Sequence, residues 1–242
     1  LANRNALSLI AKKEQETSPL GELARALGLG APPLRIEGFD ISNTLGQESV
    51  GSLVVFDDGR PNKAEYRKYR IKTVAGANDV ASLEEIVRRR YRRIIEEKKR
   101  LPDLVFVDGG KGQLQAARKA LLSVGLAAVP AASLAKREEI IYTAAEPGGL
   151  SLERTSPALK LIQNIRDEAH RFAISFHRTR REKRSFASVL DGIAGIGPVK
   201  KKALLAAYLS AAEVASAPLE ELAGIVGRRA ADSVRAALAG KD

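Results

Sequence analysis

The 242-residue chain contains no cysteine, no methionine and only two histidines. Without cysteine it can form no disulfide, no thiolate metal site and no thiol nucleophile, a composition that fits a reducing cytoplasmic setting. No apolar stretch approaches the ~20 residues a membrane-crossing helix needs. The opening LANRNALSLIAKKEQE lacks the form of a secretory signal. Because the chain starts at Leu1 and has no methionine anywhere, it is expected to be a piece of a longer polypeptide.

What is present in excess is positive charge: Lys+Arg 40 against Asp+Glu 29, a formal net charge of +11 and a pI near 9.9. Such an excess points to a polyanionic partner. It is unevenly spread. Residues 188 to 242 hold seven Lys/Arg and six Asp/Glu, so about ten of the excess charges belong to the first 187 residues. Residues 160 to 184 hold eight basic against three acidic side chains, and residues 79 to 100 eight against five. Each of those segments alone reads equally well as a solvated helix face.

The length allows one large domain and a small one. Residues 3 to 28 have helical apolar spacing (Leu7, Ile10, Leu20, Leu23, Leu27) and end in Gly28, Gly30 and Pro32-Pro33, so residues 1–33 read as an N-terminal helical arm or linker. Three strand-like runs follow, LRIEGFDIS, SVGSLVVFDD and AEYRKYRIKTV, with turn chemistry at 57 to 62, predicting an antiparallel meander. Asp79 is the expected N-cap of a helix whose buried stripe is Val80, Leu83, Ile86, Val87 and Ile94. LPDLVFVDGG is an apolar strand, followed by the helix GQLQAARKALLSVG; AVPAASLAKR, EEIIYT and the long helix SPALKLIQNIRDEAHRFAISFHRTRREKRS complete the domain, in the order three antiparallel strands, helix, strand, helix, strand, helix. This order matches an α/β fold with a ribonuclease H-like mixed sheet and flanking helices over residues 34–184. A linker is expected near residues 181 to 188, then a small all-α domain over 188–242.

Two carboxylates stand out. Asp40 and Asp108 sit inside apolar strands, where an isolated charge loses several kcal/mol of hydration unless a cation or donor compensates it. In the predicted sheet their strands are neighbours, so both fall at strand C-terminal ends within metal-bridging distance. Carboxylate oxygens suit Mg²⁺ or Mn²⁺. One or two such ions can activate water and stabilise charge in phosphodiester cleavage. His170, in IRDEAHRF, has an unperturbed pKa of about 6.5 and is a candidate general base or metal ligand. His177, amid RTRREKR, reads as a phosphate or solvent contact. The segment Asp108-Gly109-Gly110-Lys111-Gly112-Gln113 invites a nucleotide-loop reading, but the spacing is not G-x-x-x-x-G-K-[ST]. Its glycines are better suited to admit a nucleic-acid backbone, with Lys111 neutralising a phosphate.

The last 55 residues read as a duplicated helix, glycine hairpin, helix unit, with Gly195-Ile196-Gly197-Pro198 in the first copy and Gly224-Ile225-Val226-Gly227 in the second. They resemble a tandem helix-hairpin-helix module. Amides at Gly195, Gly197 and Gly227, with Lys200, Lys201, Lys202, Arg228 and Arg229, would grip DNA phosphates without reading bases. The second copy departs from that pattern, with Val226 before its glycine; a plain αα-corner is the alternative.

FDISNT, DVASLEEIVRRRYRR, LPDLVFVDGGKGQL, LIQNIRDEAHRFA and GIGPVKKKALL together resemble the C-terminal half of the UvrC family, the incision subunits of bacterial nucleotide excision repair, over residues 34 to 240. The resemblance implies a 5′ incision of the damaged strand by an Asp-Asp-His set, which falls on Asp40, Asp108 and His170. It also implies a role for Asp79, a divalent metal (Mg²⁺ or Mn²⁺), damaged or bubble DNA as substrate, and a UvrB-type damage-recognition helicase as partner of the full-length protein. Asn43 stands where relatives carry histidine. The family's other nuclease domain and its partner-binding segment have no counterpart in this sequence, so dual incision is not expected of it. Two alternatives remain open from the residues: a nucleic-acid-binding scaffold without catalysis, and a junction or RNA–DNA hybrid nuclease of the same fold.

Overall fold

The computed structural model describes residues 18–42, 50–74, 76, 78–136 and 138–238, and the chain divides into two compact units, Leu1–Ile174 and Ser175–Asp242. Asn43 lies outside the described residues, as does the side chain of His177. The boundary falls inside a single helix, α4 (Pro157–Asp191), which occupies the residues where the sequence pattern puts a linker.

The first unit is built on one mixed sheet. Its strands are β1 (Arg35–Ser42), β2 (Val50–Asp57), β3 (Arg60–Pro61), β4 (Arg67–Arg70), β5 (Leu104–Asp108), β6 (Ala131–Ala135), β7 (Ile140–Thr143) and β8 (Leu150–Ser151). They run in the order β3-β2-β1-β5-β6-β7-β8, with β4 paired to β2 beside β3. β1 is antiparallel to β2 and parallel to β5, β5 is parallel to β6, and β7 and β8 close the far edge antiparallel. This is the mixed ribonuclease H-like arrangement expected from the order of elements.

Alternation along the strands sorts the core into two layers. On one face Ile36, Val54, Phe56, Leu104, Phe106 and Leu134 pack against Leu159, Ile162, Ile165 and Ala169 of α4. On the other, Phe39, Leu53, Val55, Val105 and Val107 meet α2 (Asp79–Glu96) and α3 (Lys111–Ser123). The helix α1 (Pro19–Leu27) starts behind Ser18, whose hydroxyl accepts from the Gly21 amide at 3.1 Å. Its Leu23 and Leu27 are buried in the α4-side layer, so this segment is part of the unit rather than a free arm. Asn78, not Asp79, caps α2 by accepting from the Ala81 amide, and Val80 stands exposed outside the buried stripe.

One feature of α2 is invisible to a tally of charges. Arg90 turns inward and donates to the fully buried Glu37 carboxylate at 2.7 and 3.1 Å, joined by the Tyr91 hydroxyl at 3.1 Å and by Arg35 at 3.3 Å. A buried carboxylate is tolerated because several donors surround it. Arg88, Arg89 and Arg93 pair with Glu84, Glu85 and Glu97 along the same helix, so much of this basic segment is neutralised within the molecule.

The second unit holds the end of α4, α5 (Pro198–Ala207), α6 (Ala211–Ser216), α7 (Leu219–Val226) and α8 (Arg228–Leu238) around Phe186, Leu190, Leu204, Val214, Leu222, Ala231 and Val234. Glycine turns with positive φ, at Gly195 (86°) and Gly227 (83°), precede α5 and α8. Gly224 lies inside α7 rather than in a turn. No helix among the described residues is long and apolar enough to cross a membrane.

Candidate active site

The register explains why Asp40 and Asp108 converge. β1 and β5 run parallel with Phe39 opposite Val107, and the next residue on each strand is an aspartate. Even-numbered residues of both strands (36, 104, 106) face α4, so both carboxylates emerge side by side at the strand C-terminal ends beneath that helix. α4 can come this close because β1 has glycine at position 38: a Cβ there would lie 2.6 Å from the Ile165 Cγ2 methyl. His170 then falls over Asp40, its Nδ1 3.5 Å from Oδ2. One ligand atom from each of Asp40, Asp108 and His170 lies within 4.8 Å of the others, the one such group of three among the described residues.

The three differ in exposure. The side chains of Asp40 and Asp108 are 5% and 1% accessible, whereas His170 is 49% accessible. Asp40 accepts from the Ser42 hydroxyl at 3.2 Å. The Lys136 ammonium pairs with Asp108 Oδ2 at 2.9 Å in poor hydrogen-bond alignment, and no other donor bonds either oxygen. Burial pushes the Asp108 carboxyl above its ordinary value; Lys136 opposes the shift, Asp40 reinforces it and Arg166 opposes it. A buried, destabilised carboxylate with a single, mostly exposed counter-charge, beside a second carboxylate and an imidazole, is a donor set that fits a hard divalent cation.

After Asp108, Gly109 adopts φ 149°, where a Cβ would meet the Gln113 side chain at 2.7 Å. Gln113 accepts from the Gly110 amide at 3.2 Å and so fixes the turn into α3. Lys111 opens α3, with its Nζ 5.0 Å from the centre of the Tyr142 ring. Asp79 begins α2 and does not belong to the three-residue group.

Two residues that touch the site's framework escape the sequence pattern. Ser52, buried on β2 directly opposite Asp40, donates to the Ala169 carbonyl at 3.0 Å and ties α4 to the sheet one residue before His170. Its signal is a lone hydroxyl in the apolar run VGSLVVF. Lys136, the residue after β6, has as its signal only a charge at the end of a short strand.

In the second unit the basic side chains are not equivalent. Lys201 pairs with Asp191 at 2.5 Å, and Arg228 with Glu220 at 2.5 Å. Lys200 is half-buried, and Lys202 and Arg229 are exposed. Gly197 is the N-cap of α5.

Comparison with known proteins shows the family. Residues 24–174 match the family described as the UvrC RNAse H endonuclease domain. The chain is 44% identical over 238 residues to UvrABC system protein C of Moorella thermoacetica, covering 94% of this chain and 39% of the relative. To the protein of the same name from Solibacter usitatus it is 50% identical over 213 residues, covering 88% of this chain and 34% of the relative. The chain thus spans well under half the length of the curated relatives it matches. Among solved structures, Endonuclease V of Ciona intestinalis, in complex with a 23mer DNA containing an inosine followed by a ribo-adenosine, is 15% identical with a TM-score of 0.34, covering 55% of this chain and 58% of that one. With the family match spanning more than half of its residues, and the Asp40, Asp108 and His170 cluster inside that span, the chain belongs to the UvrC family and carries its RNase H endonuclease domain.

Proposed function

We propose that this chain is the hydrolytic part of a nucleotide excision repair endonuclease, a divalent-metal-dependent enzyme making the 5′ incision in a damaged DNA strand. The observation that carries the reading is the convergence of Asp40, Asp108 and His170 within 4.8 Å at the strand C-terminal ends. Asp40 and Asp108 would hold Mg²⁺ or Mn²⁺, and His170 would complete the donor set with a ring nitrogen, since its Nδ1 already points at Asp40. When bound there, the ion supplies Lewis-acid stabilisation of phosphate charge and a more acidic water. Buried walls around the two carboxylates exclude bulk water and strengthen their electrostatic grip. Gly109 and Gly110 leave the flank of Asp108 without side chains, so a phosphodiester backbone can come close. Cleavage leaves 3′-hydroxyl and 5′-phosphate ends.

The C-terminal helical unit reads as a tandem helix-hairpin-helix module that holds duplex DNA without regard to sequence. Gly195 and Gly197 lie in the first hairpin, with Lys200 and Lys202 following, and Gly227, Arg228 and Arg229 mark the second; Lys201 serves the module mainly through its intramolecular ion pair. Asp79 is assigned a supporting acidic role at the head of α2, and Lys111 a phosphate contact at the head of α3. A UvrB-type helicase subunit is the partner proposed for the full-length protein.

The test is incision of a bubble duplex with and without Mn²⁺. Nicking is expected with Mn²⁺ or Mg²⁺ and none with chelator. Asp40→Asn is expected to lower cutting by a factor on the order of 10³ or more while leaving DNA binding largely intact. Binding without metal-dependent nicking would instead favour the scaffold alternative, and preference for a four-way junction or an RNA–DNA hybrid over a bubble would favour another nuclease of this fold.

A further inference from the structure

Lys136 stands at an unusual position. β6 runs parallel to β5 with Leu134 opposite Asp108, and Ala132 and Leu134 face α4, so Lys136 leaves the end of β6 on the same face as the two carboxylates. Its Nζ lies 2.9 Å from Asp108 Oδ2. The pair is poorly aligned as a hydrogen bond, and the lysine side chain is 57% exposed. Lys136 also lines an open polar cleft of about 530 Å³, whose wall includes Glu138, Glu139, Ser151, Leu152, Arg154 and Gln163. That volume falls in the range of ~300–1,000 Å³ typical of small-ligand sites, enough for a nucleotide. One cation therefore stands between a buried carboxylate for which it is the nearest counter-charge and an open cleft where Arg154 is a second cation and Glu138 and Glu139 are carboxylates.

We propose that Lys136 is a further functional side chain of this site, serving as the counter-ion of Asp108 until a divalent cation takes over that charge, and then pairing with a phosphate of the bound strand. The inference rests on the reading of Asp40, Asp108 and His170 as a nuclease centre. While Lys136 holds Asp108, only the fraction of molecules with the carboxylate free can take a metal, so the lysine lowers apparent metal affinity. Once released it is a flexible point charge with three donors, suited to a phosphate oxygen. Because its removal leaves Asp108 without a counter-ion in the metal-free chain, folding of the Lys136 variants is checked by circular dichroism before binding is measured.

The experiment uses the full chain with Lys136→Met, Lys136→Arg and, in parallel, Asp108→Asn. Mn²⁺ binding is measured by electron paramagnetic resonance without DNA, and turnover on a bubble duplex at saturating Mn²⁺. Lys136→Met is expected to bind Mn²⁺ about three- to tenfold more tightly yet to turn over about tenfold or more slowly, with Lys136→Arg recovering most of the rate. A purely structural residue would not tighten metal binding when removed. Unchanged Mn²⁺ affinity in Lys136→Met, or unchanged turnover, overturns the proposal. If Asp108→Asn itself keeps both affinity and nicking, the reading of the centre fails; if Asp108→Asn loses both while Lys136→Met behaves as the unaltered chain, the assignment of Lys136 alone fails.

Discussion

At the scale of single residues, Asp108 embodies a conflict between stability and chemistry. The Lys136 ammonium only partly offsets the burial of the Asp108 carboxylate, so the apo fold bears an ionised group that burial disfavours on balance. Asp108→Asn, equal in shape and uncharged, is expected to raise the melting temperature in chelator by about 2–4 °C, the shift that ~1 kcal/mol gives in a protein of this size, while weakening metal binding. A scanning calorimetry trace in EDTA checks this; a lower melting temperature would show that the carboxylate helps the apo fold. Glu85 behaves oppositely. Burial alone would push its carboxyl up, but the Thr73 hydroxyl and amide, the Lys72 amide and Arg89 all donate to it and hold it below its ordinary value. A depressed carboxyl contributes stability above its unfolded pKa and loses it as pH falls through the lower folded value. Glu85→Gln should therefore be less stable than the unaltered chain at pH 7, with the gap closing below about pH 4. Urea midpoints across that range measure it.

The aspartates are legible in the sequence because a charge inside FDIS or LVFVD contradicts its surroundings. Ser52 and Lys136 are not, since neither departs from what a strand or a strand end ordinarily contains; their meaning lies in register and in cross-chain distance. Asp79 shows the reverse: it reads as a cap, but Asn78 takes that place because its side chain reaches the Ala81 amide.

At the scale of elements, the position of α4 decides whether His170 meets Asp40. Gly38 sets how near the helix lies, and the Ser52 hydroxyl fixes where along the sheet it sits. Gly38→Val would drive a branched side chain into Ile165 and is expected to destabilise the first unit by about 1–3 kcal/mol, read as a shift in urea midpoint. Ser52→Ala removes one bond to the Ala169 carbonyl and should cost only about 1 kcal/mol in stability. Turnover should fall with it, about tenfold if the imidazole drifts, with DNA affinity unchanged. An unaltered rate would mean that packing alone holds α4. The elements themselves follow from hydrophobic period. Strand lengths do not: the run AEYRKYRIKTV yields only Arg67–Arg70 as strand, because the residues beyond it turn toward Glu85. The short edge strand β8 has no periodic signal at all.

At the scale of the whole molecule, the net charge of +11 is a poorer guide to DNA binding than its arrangement. Arg90 serves a buried carboxylate, and Lys201 lies against Asp191. Composition reveals residue type, whereas ion pairing is a tertiary fact. Replacing Lys200 and Lys202 together should weaken DNA binding across sequences and reduce the slope of log affinity against log salt by roughly 0.9 for each phosphate no longer neutralised. Lys201→Ala should leave that slope nearly unchanged and instead lower the thermal stability of the helical unit. Equal slopes for the two variants would contradict the distinction drawn between them.

The most direct measurement is Mn²⁺ binding to the chain without DNA, by titration calorimetry, for the unaltered protein, Asp40→Asn, Asp108→Asn and His170→Ala. Binding to the unaltered chain, with each substitution weakening it by about tenfold or more, is the result expected of one shared cation site. Undiminished binding in all three variants would show that these side chains do not form it.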